Sequence, residues 1–149
     1  MTQAEFETYL AHAVKIYADE KVKAGNWQFE GALARAEGEF HNLLPEGLAS
    51  KNQHLFSIKD TGQTVGVIWF GVTAWAGQQA AFICDFSVNE AFQGRGYGRG
   101  AMLAVEEKVK ALGLTAISLH VFGHNRVARS LYEKLGYEVT NVHMTKQLD

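Results

Sequence analysis

A glycine-rich turn follows Gln93 and has the composition of an anion-binding site. Glycine occupies every second position and arginines stand between, in the order Gly94, Arg95, Gly96, Gly98, Arg99 and Gly100. A mostly apolar run, residues 80–88, precedes the turn, and apolar residues recur at helical spacing from Ala101. Glycine permits positive φ and carries no Cβ, so several backbone N–H groups can face one concavity at the positive end of a helix dipole. The pattern predicts a strand, a turn and a helix that together bind an anion, with phosphate the usual occupant.

Two nucleotide-binding motifs have a glycine-rich turn of this kind. The sequence contains no glycine followed by four residues and Gly-Lys-Ser/Thr, so the nucleoside-triphosphate loop is excluded. Residues 96–101 fit the dinucleotide pattern G-x-G-x-x-A. The acidic ribose ligand expected about twenty residues later is missing from residues 116–120. Dinucleotide binding is therefore the weaker interpretation of the turn.

A different phosphate-binding family matches two separate stretches. Residues 93–98, Gln-Gly-Arg-Gly-Tyr-Gly, resemble the Q-x-x-G-x-G/A pattern of the GNAT superfamily of acetyl-CoA-dependent N-acetyltransferases. Residues 125–137 are similar to the second signature of that family, N-x-x-A-x-x-L-Y-x-x-x-G-F/Y. The two motifs stand in the expected order, about thirty residues apart. The resemblance covers residues 53–149 well and the N-terminal third only loosely.

The resemblance implies an activity and a co-substrate. The expected activity is transfer of the acetyl group of acetyl-CoA to a primary amine of a small molecule or peptide, by direct attack in a ternary complex and without a metal. The diphosphate of coenzyme A is expected on the backbone of residues 93–98, with the pantetheine arm along residues 86–88. The expected cofactor-binding residues are Phe86, Ser87, Val88, Gln93, Gly94, Arg95, Gly96, Tyr97, Gly98, Arg99, Asn125, Ala128, Arg129 and Tyr132.

Tyr132 and His120 are the expected catalytic residues. Tyr132 matches the family tyrosine that donates a proton to the departing thiolate, and a phenol of pKa ~10 suits a thiolate of pKa ~8.5. His120 stands five residues before Asn125, where one branch of the family has a glutamate. An imidazole of pKa ~6.5 is suited to take a proton near neutrality. Asp85 is the rival base, because a carboxylate in an apolar strand needs a reason to be there; a water molecule is the third possibility.

Residue spacing also predicts which side chains face the cofactor and the acceptor. On the last helix, one face carries Asn125, Ala128, Arg129 and Tyr132, which we expect to face the cofactor. The other face carries Val127, Leu131 and Leu135, which we expect in the core. The aromatic candidates for the acceptor pocket are Trp27, Phe40, Trp69 and Trp75. The acidic candidates for attracting a cationic amine are Glu30, Glu37, Glu39 and Glu46, although solvated helix faces explain most such residues.

The elements that must position these residues follow from periodicity. Helices are predicted at residues 2–24, 28–43, 99–112 and 125–135, the first from a Thr2–Glu5 capping box. Strands are predicted at residues 53–59, 64–73, 79–88, 115–121, 137–139 and 141–148. The expected fold is α/β, or α+β in some schemes: a twisted, mixed sheet of about six strands flanked by four helices. The family usually begins with a short strand, and the sequence leaves no room for one before the first helix. The resemblance also implies that the parallel strands splay apart at the cofactor slot.

Length and composition set the remaining expectations. A chain of 149 residues with 47% hydrophobic and 20% charged residues suits one domain over residues 1–149. The net charge of −2 gives no reason to expect nucleic acid, and no apolar run is long enough for a membrane span. A single cysteine, Cys84, and no signal-peptide pattern favour the cytoplasm. A homodimer, the identity of the amine, and a non-catalytic acyl-CoA-binding module as the alternative function remain open.

Overall fold

Four helices and four strands make up the computed structural model, which describes residues 1–149. The helices are α1 (Gln3–Lys23), α2 (Ala32–Leu43), α3 (Tyr97–Ala111) and α4 (Arg126–Lys134). The strands are β1 (Gln53–Asp60), β2 (Gln63–Trp75), β3 (Gln78–Val88) and β4 (Ile117–Leu119). Short 3-10 turns occupy Gly47–Ala49 and Glu90–Phe92. The predicted mixed α/β architecture is thus confirmed.

The sheet has the order β1-β2-β3-β4, with antiparallel pairing up to β3 and parallel pairing between β3 and β4. The parallel ladder is short: it joins residues 81–83 of β3 to residues 117–119 of β4. β3 continues to Val88, but β4 has ended at Leu119. The two strands therefore part beyond Ile83, and the last residues of β3 have no β4 neighbour.

The sheet has four strands, not six. Residues 137–149, where two further strands were predicted, form no strand. Their apolar side chains are mostly exposed, at 57% for Val139 and 86% for Met144. The alternating pattern of this segment therefore buries no face, and a strand that buries nothing against a sheet gains little stability.

The starts of the first two helices have different causes. α1 begins at the predicted capping box, where the Thr2 side chain accepts from the Glu5 backbone N–H and the Glu5 carboxylate accepts from the Thr2 backbone N–H. Glu5 also pairs with Lys59 at 2.7 Å, which attaches α1 to β1. α2 starts at Ala32, later than predicted, because Gly31 adopts a left-handed conformation with φ of 80°.

The two faces of the sheet carry separate hydrophobic cores. Ile68 and Phe70 of β2 pack with the apolar face of α3, including Met102 and Val105. Between them in sequence, Trp69 points to the opposite face and packs with residues of α1 and α2. This alternation places α3 and α4 on one side of the sheet and α1 and α2 on the other. None of the helices is both long and apolar enough to cross a membrane.

Candidate active site

A cleft of about 1130 Å³ lies between α1 and the sheet and continues through the gap between β3 and β4. Its lining includes one side of α1, residues 82–87 of β3, residues 119–122 after the parallel ladder, and the inner face of α4. The cleft therefore connects the α1 face of the sheet with the α4 face. It exists because β4 ends after three residues, so the part of β3 beyond Ile83 has no strand on its β4 side.

Asp85 projects into this cleft because β3 contains a β-bulge. Trp69 pairs with Asp85 and Phe70 pairs with Ile83, so Cys84 is an extra residue in β3. Ile83 packs in the hydrophobic core between the sheet and α3. Cys84 packs against the core on the opposite face, beside α1, and Asp85 hydrogen-bonds to Tyr9 of α1. The bulge thus turns two consecutive side chains towards α1.

Tyr9 donates a hydrogen bond from its Oη to Oδ2 of Asp85 at 2.7 Å. Burial raises the pKa of the Asp85 carboxyl, while the Tyr9 hydrogen bond opposes that rise. The pKa of Tyr9 is raised as well, first by burial and then by the neighbouring Asp85 charge. The pair therefore combines a phenol that stays protonated with a carboxyl that ionises less readily than usual.

Tyr132 lies on the α4 side of the gap and is 8% exposed. Its ring packs 6.4 Å from the Phe86 ring and 5.8 Å from the Tyr137 ring, measured between centroids. Burial, together with the charge of Asp85, raises the pKa of Tyr132 to about 12. The phenol lines the cleft and remains protonated at any ordinary pH, so it can donate but hardly accept a proton.

His120 lies at the other edge of the gap, one residue beyond Leu119. The residue is mostly exposed, and its ring packs edge-on against the Phe122 ring with 5.1 Å between centroids. Partial burial and the positive charge of Lys21 lower the pKa of His120. The imidazole is therefore neutral at pH 7 and has no hydrogen-bond partner in the protein.

The glycine-rich turn presents a set of unpaired backbone donors. The N–H groups of residues 94–99 donate no hydrogen bond within the protein. Gly94 and Gly96 have φ of 74° and 86°, and no atom lies within 4 Å of the position that a Cβ would take at either residue. These open donors at the N-terminus of α3 fit a diphosphate, which needs several N–H groups and close backbone approach.

Gly98 has a different reason to be glycine. A Cβ there would lie 3.3 Å from Cδ2 of Leu131 and 3.5 Å from Cζ of Phe86. Gly98 therefore lets the first turn of α3 pack closely against α4 and β3. Since Phe86 also contacts Tyr132, this packing links the position of the turn to that of the phenol.

The sequence-predicted cofactor residues divide into two groups. Five of them line the large cleft: Phe86, Ser87, Asn125, Ala128 and Tyr132. The others lie outside its lining: Val88, residues 93–99 and Arg129. In the second group, Gln93 donates to the Val88 carbonyl at 2.9 Å, Tyr97 donates to Asp60 at 2.6 Å, and Arg95 stacks on Phe92.

The predicted division of α4 into two faces is partly wrong. Val127, expected in the core, is 83% exposed. Leu135 packs in the core as predicted, together with Ala128 and Tyr132. Arg129, expected at the cofactor, lies on the surface and donates from Nε to Glu133 at 2.8 Å, and its contact with the cofactor stays a prediction.

Among the predicted acceptor-pocket residues, Phe40, Trp69 and Glu39 line the cleft. The other aromatic candidates do not: Trp75 is 52% exposed near the end of β2, and Trp27 packs on Tyr17 outside the cleft. The other acidic candidates, Glu30, Glu37 and Glu46, are absent from the lining. No three His, Cys, Asp or Glu side chains lie close enough together to hold a metal ion.

Sequence interpretation missed Tyr9 and Lys21, which both lie on α1 and line the cleft. The available signal was a stripe of polar and aromatic residues beside the apolar face of α1: Thr8, Tyr9, His12, Tyr17, Glu20 and Lys21. Together with Ala13 and Ile16, which also line the cleft, these positions form two rows with a spacing of four residues, so they share one side of the helix. On a solvent-facing helix such a stripe is ordinary, and only the docking of α1 over the gap gives it significance.

Comparison with known proteins agrees with this geometry. The sequence model of the acetyltransferase (GNAT) family matches residues 13–137. The uncharacterized N-acetyltransferases YycN and YdgE of Bacillus subtilis (strain 168) are 42% and 36% identical to this chain. Both alignments cover 99% of this chain, and they cover 96% of YycN and 95% of YdgE.

One solved structure and one further relative extend the comparison. The crystal structure of Bacillus subtilis YycN has a TM-score of 0.91 at 41% identity, covering 99% of this chain and 95% of that chain. A mycothiol acetyltransferase of Renibacterium salmoninarum is 34% identical over 101 residues, which are 66% of this chain and 30% of that protein. The resemblance of the two motifs is thereby confirmed: the chain belongs to the acetyltransferase (GNAT) family and is an N-acetyltransferase.

Proposed function

We propose that this enzyme transfers the acetyl group of acetyl-CoA to a primary amine of a small molecule or peptide by direct attack in a ternary complex. The observation that carries the proposal is the gap between β3 and β4, which has unpaired N–H donors at the nearby α3 N-terminus and the Tyr132 phenol on its α4 side. The β3 edge beyond Ile83 offers further backbone groups to an extended arm. Acetyl-CoA supplies an acetyl group that is already activated as a thioester.

The backbone of residues 94–99 and the β3 residues Phe86 and Ser87 have the binding and orienting roles in this proposal. The turn holds a diphosphate, and the β3 edge aligns the arm that leads to the reacting carbon. Tyr132 holds a proton at Oη, and its pKa of about 12 keeps the phenol protonated near neutral pH. The phenol can therefore donate a hydrogen bond, and in the transition state share its proton, where negative charge develops on a leaving sulfur beside Oη.

The ammonium form of an amine cannot attack, so a group in the cleft must take its proton. His120 is the proposed base: its imidazole is neutral at pH 7, it lines the cleft, and no protein group occupies its ring nitrogens. Asp85 is the rival, because it lies in the cleft with a raised pKa and close enough to Tyr132 to affect the pKa of that phenol.

The pH dependence of kcat/KM separates the two bases. If His120 is the base, His120→Ala removes the acidic limb of the profile and lowers kcat/KM by about 10²-fold, within the usual range for a general base. An unchanged profile in His120→Ala together with a lost acidic limb in Asp85→Asn would assign the role to Asp85. Unchanged limbs in both variants would leave a water molecule as the proton acceptor.

The proposed function is tested by free-thiol release from acetyl-CoA with a panel of amines, supported by calorimetry. We expect coenzyme A to bind, NAD not to bind, and at least one amine to release thiol. Binding of coenzyme A without thiol release from any amine would favour the acyl-CoA-binding module. Binding of NAD but not of coenzyme A would overturn the cofactor assignment.

A further inference from the structure

Most charged side chains in the cleft already have partners in the protein. The acidic, lysine and histidine residues of its lining are Glu5, His12, Glu20, Lys21, Glu39, Asp85 and His120. Five of these have polar partners, in the pairs Glu5–Lys59, His12–Thr8, Glu20–His124, Glu39–Tyr17 and Asp85–Tyr9. Lys21 and His120 have neither an ion pair nor a hydrogen bond.

Lys21 is held in place by aromatic rings instead of a carboxylate. Its Nζ lies 5.4 Å from the centroid of the Tyr17 ring, 5.7 Å from that of Trp27 and 5.8 Å from that of Phe122. Ring faces attract an ammonium group but do not neutralise its charge or satisfy its three N–H donors. The cleft therefore contains a half-buried, oriented cation whose hydrogen-bonding capacity is unused.

Lys21 and His120 share an aromatic neighbour, Phe122, at the edge of the gap. Both side chains pack on Phe122, and the Lys21 charge lowers the pKa of His120. The nearest acidic residue in sequence, Glu20, already accepts a hydrogen bond from His124 at 2.6 Å. The Lys21 ammonium therefore has no carboxylate partner beside the proposed site of proton transfer.

We propose that Lys21 is a specificity residue that binds an anionic group, a carboxylate or a phosphate, on the amine acceptor. The inference rests on the proposed acetyl transfer to an amine. An acceptor with an acid group near its amine would place that group on the Lys21 ammonium and the amine beside His120 and Asp85. The substrate class is then an amine that also carries an acid, such as an amino acid, a peptide with a nearby carboxylate, or a phosphorylated amine.

The test compares acceptors with and without the anionic group, and each KM is expressed per concentration of neutral amine because the amine pKa differs between the acceptors. L-Amino acids are compared with their amides and with the amines that lack the carboxylate, and O-phosphoethanolamine is compared with ethanolamine. Wild type, Lys21→Met and Lys21→Arg are measured, with Lys15→Met as the matched control, since Lys15 lies on the same helix but pairs with Asp19 on the surface.

At pH 8.5, where the His120 imidazole is neutral with or without the Lys21 charge, we expect wild type to prefer acid-bearing acceptors. At this pH, Lys21→Met should raise the KM of those acceptors at least tenfold and leave kcat and the KM of the amides unchanged. Lys21→Arg should retain most of the preference, and Lys15→Met all of it. Carboxylates and phosphates are distinguished by which pair shows the larger wild-type preference. Equal KM values for acids and amides in wild type, or an equal rise for both in Lys21→Met, would overturn the inference.

Calorimetry separates this inference from the proposed function. The same acids and amides are titrated into wild type and Lys21→Met in the presence of coenzyme A. If no amine is acetylated but wild type binds acids more tightly than amides and Lys21→Met does not, the anion site stands and acetyl transfer to these amines fails. If neither acids nor phosphates bind better than their neutral counterparts, the anion site itself is overturned.

Discussion

The phenol of Tyr9 and the carboxylate of Asp85 lie 2.7 Å apart, although 76 positions separate them in the sequence. This hydrogen bond connects α1 to the bulged part of β3 where the sheet opens. It places a carboxyl of raised pKa inside the cleft and within electrostatic range of Tyr132. The residues that lie where the sheet opens are therefore the same residues whose pKa values are shifted in the cleft.

The first prediction concerns the stability of Asp85→Asn. Burial raises the pKa of Asp85, so the folded protein holds the Asp85 proton more tightly than the unfolded chain does. The stability gained from this protonation is fully present below the unfolded-state pKa of ~3.9 and is lost as pH rises through the folded-state pKa. Asn resembles the protonated acid and still accepts from Tyr9. We expect Asp85→Asn to raise the Tm by a few degrees at pH 8, with the difference shrinking towards pH 4. Asp19→Asn, on the surface, should change stability by less than about 0.5 kcal/mol. A lower Tm for Asp85→Asn at pH 8 would contradict this.

The second prediction concerns Tyr132→Phe, which keeps the ring and removes the proton donor. We expect kcat to fall by about 10²-fold with little change in the KM for acetyl-CoA, because a positioned acid acts only when the thiolate departs. Tyr137→Phe is the matched control, since its ring lies 5.8 Å from that of Tyr132 and its buried hydroxyl has no partner. That variant should retain activity and fold at least as stably. Equal kcat losses in both variants would indicate a packing effect rather than proton donation.

The third prediction concerns the glycine-rich turn. Gly96 has φ of 86°, so Gly96→Ala introduces backbone strain of about 1–2 kcal/mol even though space is available. We expect weaker coenzyme A binding, at about fivefold in Kd for each kcal/mol lost from binding. Gly100→Ala is the control: it lies within α3 with open space around it and should stabilise the helix by roughly 0.5–1 kcal/mol without changing the Kd. An unchanged Kd in Gly96→Ala, measured by calorimetry, would count against diphosphate binding at the turn.

The fourth prediction concerns His120 and Lys21 and does not depend on activity. The positive charge of Lys21 lowers the pKa of His120, so Lys21→Met should raise that pKa towards the usual histidine value. An NMR titration of the imidazole measures the change directly. Lys15→Met should leave the pKa where it is in wild type. No change in Lys21→Met would show that the ammonium does not lie beside the imidazole.

The two sequence motifs predicted the glycine turn and the helix that carries Tyr132, and residue alternation predicted the first three strands. These features depend on local chemistry: glycines in a turn, alternation in strands, and the N-cap at Asn125, whose side chain accepts from the Ala128 backbone N–H. They could be predicted from the sequence because each is encoded within a few neighbouring residues.

The features that were missed depend on contacts between distant residues. The bulge at Cys84, which turns Asp85 towards α1, leaves no clear mark in an apolar run. Tyr9 and Lys21 gain significance only from the docking of α1 over the gap. The prediction of two C-terminal strands was wrong because alternation alone does not provide a neighbouring strand with which residues 137–149 could pair.

The most direct test of the central claim is a crystal structure of this enzyme with coenzyme A. We predict that the diphosphate oxygens lie about 2.7–3.2 Å from backbone nitrogens of residues 94–99, and that the thiol end runs along the β3 edge to the hydroxyl of Tyr132. A diphosphate bound away from this turn, or a thiol end that leaves the cleft away from Tyr132, would contradict the account.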